Sequence, residues 1–168
     1  MFKQTLTLGA IGMVCSMAAA SANNTPITGN VSSKCSIFTD TAGVYGNPTP
    51  DELSTLTADG GVLPVVRYDV SVADKYTAKI SWPNSFSTSP NLSDSITWDG
   101  ETEVKSHSDA GMSAYEAAKV EYDNVTEFDL TLSGSTWFKV TSEAKYGVGK
   151  SLPGGLYKAN VVAECIAD

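Results

Sequence analysis

Few residues of this chain are of types that do chemistry, and two cysteines are the most informative of them. Cys35 stands in an alternating run with Val31, Ser33 and Ile37; Cys165 stands in another with Val161 and Ala163. Alternation puts each set on one face of a strand, so both thiols read as core-facing. Two such thiols in an oxidising compartment form a disulfide. It would close a loop of about 130 residues, which the chain-entropy model values at about 4–5 kcal/mol.

The other reactive types are sparse. His107 is the single histidine and sits in Ser106-His107-Ser108, read as loop, without the strained strand-to-helix turn that presents a nucleophile. A Ser-His-Asp arrangement is therefore unsupported. The 19 acids could form many pairs, but Asp69, Glu127 and Asp129 fall on outward strand positions, where solvation explains them. One histidine and two distant cysteines do not make a zinc-type site. Neither Asp40-Thr41-Ala42-Gly43 nor Ser108-Asp109-Ala110-Gly111 has the spaced oxygen ligands of an EF-hand loop. A calcium site built from separate loops stays open. The sequence implies no cofactor, no metal and no enzymatic activity. Trp98, beside Asp99-Gly100, and Trp137, out of register with Phe138, are the candidates for rings that stack on a carbohydrate or protein ligand.

The compartment is read from the N-terminus. Lys3, an apolar run over residues 6–17 and the small-residue exit Ala20-Ser21-Ala22 form a signal peptide over residues 1–22, which carries Cys15 away with it. Residues 23–168 remain, 146 of the 168, enough for one domain with a full core. Against 19 acids they hold 10 Lys+Arg, the 11 of the whole chain less Lys3, for a net charge of −9. Such a surface repels phosphate backbones and excludes nucleic acid as a partner. No later stretch is apolar enough to span a membrane. The chain reads as exported: periplasmic, at the cell surface or extracellular.

Hydrophobic alternation supplies the elements that must position these residues. Residues 27–38 read as a first strand, and 39–64 as turn-rich, with short strands around 43–45 and 53–57. Val66, Tyr68, Val70 and Val72 alternate, and after Ala73-Asp74-Lys75 so do Tyr76, Ala78, Ile80 and Trp82. The pair predicts an antiparallel hairpin. Asp99-Gly100-Glu101 predicts a second hairpin, between residues 95–98 and 102–105. Ser113-x-x-Glu116 resembles a capping box, yet Ala118, Val120 and Tyr122 alternate, so residues 113–122 are a short helix or an edge strand. Phe128, Leu130 and Leu132, then Phe138 and Val140, point inward on further strands. The run Tyr157, Ala159, Val161, Ala163 and Cys165 follows Pro153-Gly154-Gly155 and reads as a closing strand. About seven to nine short strands, without strand–helix alternation, repeat or linker, predict an all-β fold. It is an antiparallel immunoglobulin-like β-sandwich in a single domain over residues 23–168, with at most one short helix near residues 113–122.

Two stretches carry a family likeness: Thr28-Gly29-Asn30-Val31-Ser32-Ser33-Lys34-Cys35-Ser36-Ile37 and Leu152-Pro153-Gly154-Gly155-Leu156-Tyr157-Lys158-Ala159-Asn160-Val161. In them the chain resembles pilin-like subunits of the bacterial chaperone–usher class, particularly the archaic branch with spore-coat-U-like domains. The resemblance implies a sandwich that lacks one strand and is completed by strand addition from a neighbouring subunit. It implies other subunits and a periplasmic chaperone as partners, and it assigns Ile27, Gly29 and Val31 to the donor segment. In such subunits the second cysteine stands on an early strand, near the position of Tyr68; here it stands on the last. A bond between first and last strands would close the sheet and leave no groove for a donor. The leading expectation is an exported structural or adhesive surface protein of pilin-like type. With a closed sandwich it is instead a self-contained secreted or periplasmic module that binds carbohydrate or protein. A hydrolase with a loop-built site is the third reading.

Overall fold

The computed structural model describes residues 26–28, 35–72 and 75–167; the expected signal peptide lies outside these. The chain divides into two units, Met1–Val31 and Ser32–Asp168, and every described strand belongs to the second. In order these are β1 (Cys35–Thr41), β2 (Gly46–Thr49), β3 (Glu52–Ser54), β4 (Val65–Val70), β5 (Tyr76–Ser81) and β6 (Ile96–Asp99). Then follow β7 (Thr102–His107), β8 (Val120–Tyr122), β9 (Val125–Leu130), β10 (Gly134–Val140), β11 (Glu143–Tyr146) and β12 (Val162–Ala167). They form three four-stranded antiparallel sheets, in the orders β1-β4-β10-β7, β12-β5-β9-β8 and β2-β3-β11-β6. The fold is an all-β antiparallel sandwich. It has more strands than the sequence predicts because stretches read as turns or as ambiguous hold short ones, β2, β8 and β11, while β3 overlaps the short strand expected around residues 53–57.

The first two sheets face each other. Val66, Tyr68 and Val70 of β4, with Phe138 and Val140 of β10, meet Tyr76, Ala78 and Ile80 of β5 and Phe128 and Leu130 of β9 in one buried cluster. Each side chain of this size contributes about 1.5–3 kcal/mol by leaving water. The Phe138 ring lies 5.5 Å from Tyr68, edge-on, and 4.5 Å from Phe128. Tyr68 crosses the core, and its hydroxyl donates to the carbonyls of Glu164 at 3.0 Å and Lys79 at 3.3 Å. Burial raises its pKa, so the phenol stays a donor.

Both predicted hairpins are instead crossings between sheets. β4 pairs with β1 and β10, whereas β5 pairs with β12 and β9. Their apolar faces lie opposite each other across the core, not side by side. Val72 lies past the end of β4 and is exposed, as is Leu132 past the end of β9. At Asp99-Gly100-Glu101, β6 runs into the third sheet and β7 into the first. The ladder keeps one register through that corner: Val140 faces Thr102 and, three residues on along both strands, Glu143 faces Asp99. There the Thr141 amide donates to the Glu101 carbonyl at 2.8 Å, and Thr141 Oγ1 accepts from the Glu101 amide at 2.7 Å. A Cβ on Gly100 would come within 2.8 Å of the Trp82 ring, so the corner needs glycine. The third sheet is thus a bent continuation of the first. The two-residue turn between β8 and β9 does make a hairpin, with Asp123 at φ 50.

Residues 113–122 adopt both predicted states in succession. Short 3-10 turns at Ala110–Ala114 and Glu116–Ala118 lead into β8. The capping box does not form. Asp109 Oδ1 accepts from the Gly111 amide at 2.7 Å instead, and Glu116 reaches across to β7. His107 ends β7 opposite Thr136 and is not in a loop.

Cys35 and Cys165 are joined by a disulfide. β1 and β12 do not pair, however: each is the outermost strand of its own sheet. The bond bridges two facing sheets and closes neither. The closing strand is also shorter than predicted. Only Val162–Ala167 pair, with β5, and the residues before them are irregular apart from a bridge between Lys158 and Thr88.

Candidate functional site: an open long edge

β1 and the segment leading into β12 diverge from the disulfide. At the bond the two Cα atoms are 6.4 Å apart, well inside the ~10 Å spacing of packed sheets. Further along, from Thr39 on one flank and Val161 on the other, a groove of about 700 Å³ opens. Its flanks are residues 39–45 and 155–161, and Leu53, Pro64, Val65 and Val66 also line it.

The alternation that marks the closing segment survives here as a pattern of exposure. Tyr157, Ala159, Val161, Ala163 and Cys165 are half-buried and the residues between them exposed. None reaches the burial of Tyr76, Ala78 and Ile80, at 2%, 0% and 0%. An inward face exists and is only partly covered: Val161, Ala163 and Cys165 pack against the margin of the core and Tyr157 against Phe86. The backbone is open as well. Pairing of Lys158 with Thr88 turns the peptide groups of Tyr157 and Ala159 the other way, where they meet no partner among the described residues. The outer side of β1 likewise has no strand beside it among the described residues. Such an edge is a template for another strand.

The opposite long edge, between β7 and β8, is finished by the chain itself. Met112 and Tyr115 from the 3-10 turns enter the core, at 1% and 6% exposure. The Tyr115 hydroxyl accepts from the Thr131 and Leu132 amides, both at 3.1 Å. Side chains cap the outer backbone of β7: Glu116 Oε2 accepts from the Val104 amide at 2.6 Å, and Lys119 Nζ donates to the Thr102 carbonyl at 3.3 Å. Lys119 also bridges Glu121, Glu101 and Glu116 at 2.9, 3.1 and 3.0 Å. Burial works to lower its pKa, but these carboxylates outweigh that and raise it. Gly134, at φ 139, leaves room for Met112, whose Cε would lie 2.6 Å from a Cβ there.

The two candidate tryptophans stand in different sheets. Trp98 packs at 4.6 Å on Phe86, which also touches Tyr157 at 5.1 Å and Tyr45 at 6.4 Å. It belongs to an aromatic cluster that shares Tyr45 and Tyr157 with the groove lining. Trp137 lies on the outer face of the first sheet in a row with Arg67 and Phe38. The Arg67 guanidinium sits 4.7 Å over Phe38 and 6.0 Å from the Trp137 ring, whose Nε1 donates to Asp40 at 3.2 Å. Of the candidate donor residues, Ile27 is exposed, while Gly29 and Val31 lie outside the described residues.

A second cavity, of about 450 Å³, is lined by Trp82 and five acids: Asp99, Glu101, Glu121, Asp123 and Glu143. Burial, then Glu52, Asp99 and Asp59, push the Glu143 carboxyl above its ordinary pKa. Among the described residues no three or more His, Cys, Asp or Glu stand close enough together to hold a metal ion. Sequence reasoning missed residues 39–45 as a groove wall, because Gly43 and the neighbouring Gly46-Asn47-Pro48 read as turns. It also missed Met112 and Tyr115, although large apolar residues three apart in a polar loop were the available sign. Comparison with protein-family models, curated proteins and solved structures returns no match.

Proposed function

We propose that this chain is an exported, non-enzymatic structural or adhesive subunit of pilin-like type, which accepts an extended segment of a neighbouring subunit along the groove between residues 39–45 and 155–161. One observation carries the reading: the same stretch that leaves peptide groups unpaired also presents half-buried alternating side chains around an apolar-floored groove. Strand addition uses these two things, hydrogen bonds along an edge and pockets for alternate side chains. Thr25, Ile27, Gly29, Val31 and Ser33 supply a small and apolar alternation ahead of β1 that suits the donor role. The disulfide supports export to an oxidising compartment. A periplasmic chaperone would shield the edge until assembly.

The mature chain made alone is expected to aggregate or polymerise. A synthetic peptide of residues 23–34, at about 100 times its Kd, should stabilise the fold by about 2.7 kcal/mol and raise Tm by about 5–10 °C. A soluble monomer whose melting the peptide leaves unchanged would overturn the reading.

The row Phe38, Arg67 and Trp137 supports a second reading, a binding face for a carbohydrate or protein ligand on the outside of the first sheet. Ligand-induced tryptophan fluorescence changes lost in Trp137→Ala would favour it; a changed signal that persists in that variant would reject it.

A further inference from the structure

We infer that the Cys35–Cys165 disulfide shuts one end of the groove, and so fixes the length and register of the segment seated there; this rests on the groove reading above. A strand lying between two flanking edges needs one inter-strand spacing on each side, ~9.5 Å in all. At the disulfide the flanks are 6.4 Å apart from Cα to Cα, so no strand passes between them. The groove lining ends at Thr39 and Val161, on the side where the flanks narrow to the 6.4 Å of the bond, and it is open at the far end, where Val44 and Leu156 are exposed.

The walls run over residues 39–45 and 155–161, about seven residues each, or at most ~23 Å at the strand rise. The seated segment is therefore about seven residues long. Residues 23–34 exceed that by about five, enough for the seated part to contain Ile27, Gly29 and Val31 and still leave a tether to the donor's own β1. A slip of one residue would turn every inward side chain out. The blind end resists the slip, because ahead of the leading residue the flanks close toward the disulfide.

Peptides drawn from residues 23–34 and lengthened stepwise are titrated against the mature chain and against its Cys35→Ala/Cys165→Ala variant. With the disulfide, affinity should climb about tenfold or more until about seven residues and then level off; without it, affinity should go on rising with length, by a further ~threefold. The same length dependence in both proteins overturns the stop. Absence of binding at every length in both overturns the groove reading, and the stop with it. Should the variant not fold, hydrogen exchange on the unaltered chain with the longest peptide decides. Protection is expected at residues 39–41 and 157–161 and not at Ser36; protection spreading to Ser36 overturns the stop.

Discussion

The two long edges of the sandwich are finished by different means. At the β7/β8 edge the chain folds its own residues into the gap: Met112 and Tyr115 enter the core, and Glu116 and Lys119 cap the amide and carbonyl that β7 would otherwise expose. At the β1/β12 edge the described residues supply a disulfide and half-buried side chains, and beyond the bond a groove whose peptide groups at Tyr157 and Ala159 have no partner among the described residues. The difference shows that this sequence can close an edge when it supplies a segment for it. An edge left open along one side only is a place for something else to pair.

The comparison breaks most sharply at the disulfide. Removing both cysteines, as Cys35→Ser/Cys165→Ser, should cost about 4–5 kcal/mol in urea unfolding, because the bond closes a loop spanning 130 positions. A loss below ~1 kcal/mol would mean that the packing of the open edge holds it without the bond. Met112→Ala should cost about 2–4 kcal/mol, since it empties the plug of the closed edge. Val161→Ala, at the half-buried wall of the open edge, should stay within ~0.5 kcal/mol in the isolated subunit. Equal costs at the two sites would erase the distinction. Lys119→Ala should cost about 1–2 kcal/mol, with part of the loss abolished in high salt, because three carboxylates then face one another beside an uncapped carbonyl.

The smallest effect concerns charge at the corner between the sheets. The folded pKa of Glu143 lies above its unfolded value, so its ionised form is the one the fold disfavours. That penalty is present above the raised pKa and vanishes as pH falls through it. Glu143→Gln should therefore raise Tm slightly at neutral pH and make no difference in acid, where both side chains are uncharged. A melting curve lowered at neutral pH would show that the carboxylate stabilises the corner instead.

Much of this was legible in the sequence. Alternation placed Val66, Tyr68 and Val70, and Tyr76, Ala78 and Ile80, on inward faces, and it found the cysteine pair. What alternation fixes is a face; it says nothing about which strand lies beside which. Short connections with hairpin chemistry, as at Asp99-Gly100, therefore read as hairpins, although the partners of β6 and β7 come from residues some forty positions later. The groove was hidden for a related reason. Tyr157, Ala159 and Val161 carry the same pattern as a buried strand, and a pattern cannot report that its inward face stays half-covered. The plug was hidden because Met112 and Tyr115 act through depth and not through period.

The position of the disulfide also decides how this molecule would bear a load. The segment proposed to link one subunit to the next joins the fold at Cys35, and Cys35 is bonded to the last strand. Tension arriving from the N-terminal side is handed at once across the bond to β12. It cannot peel β1 from β4 and run on into the core. The intervening loop, 130 positions from one cysteine to the other, is thereby shielded from extension when the chain is pulled from its two ends. Subunits strung together this way would yield first where a seated segment leaves its groove, at a non-covalent joint that can form again.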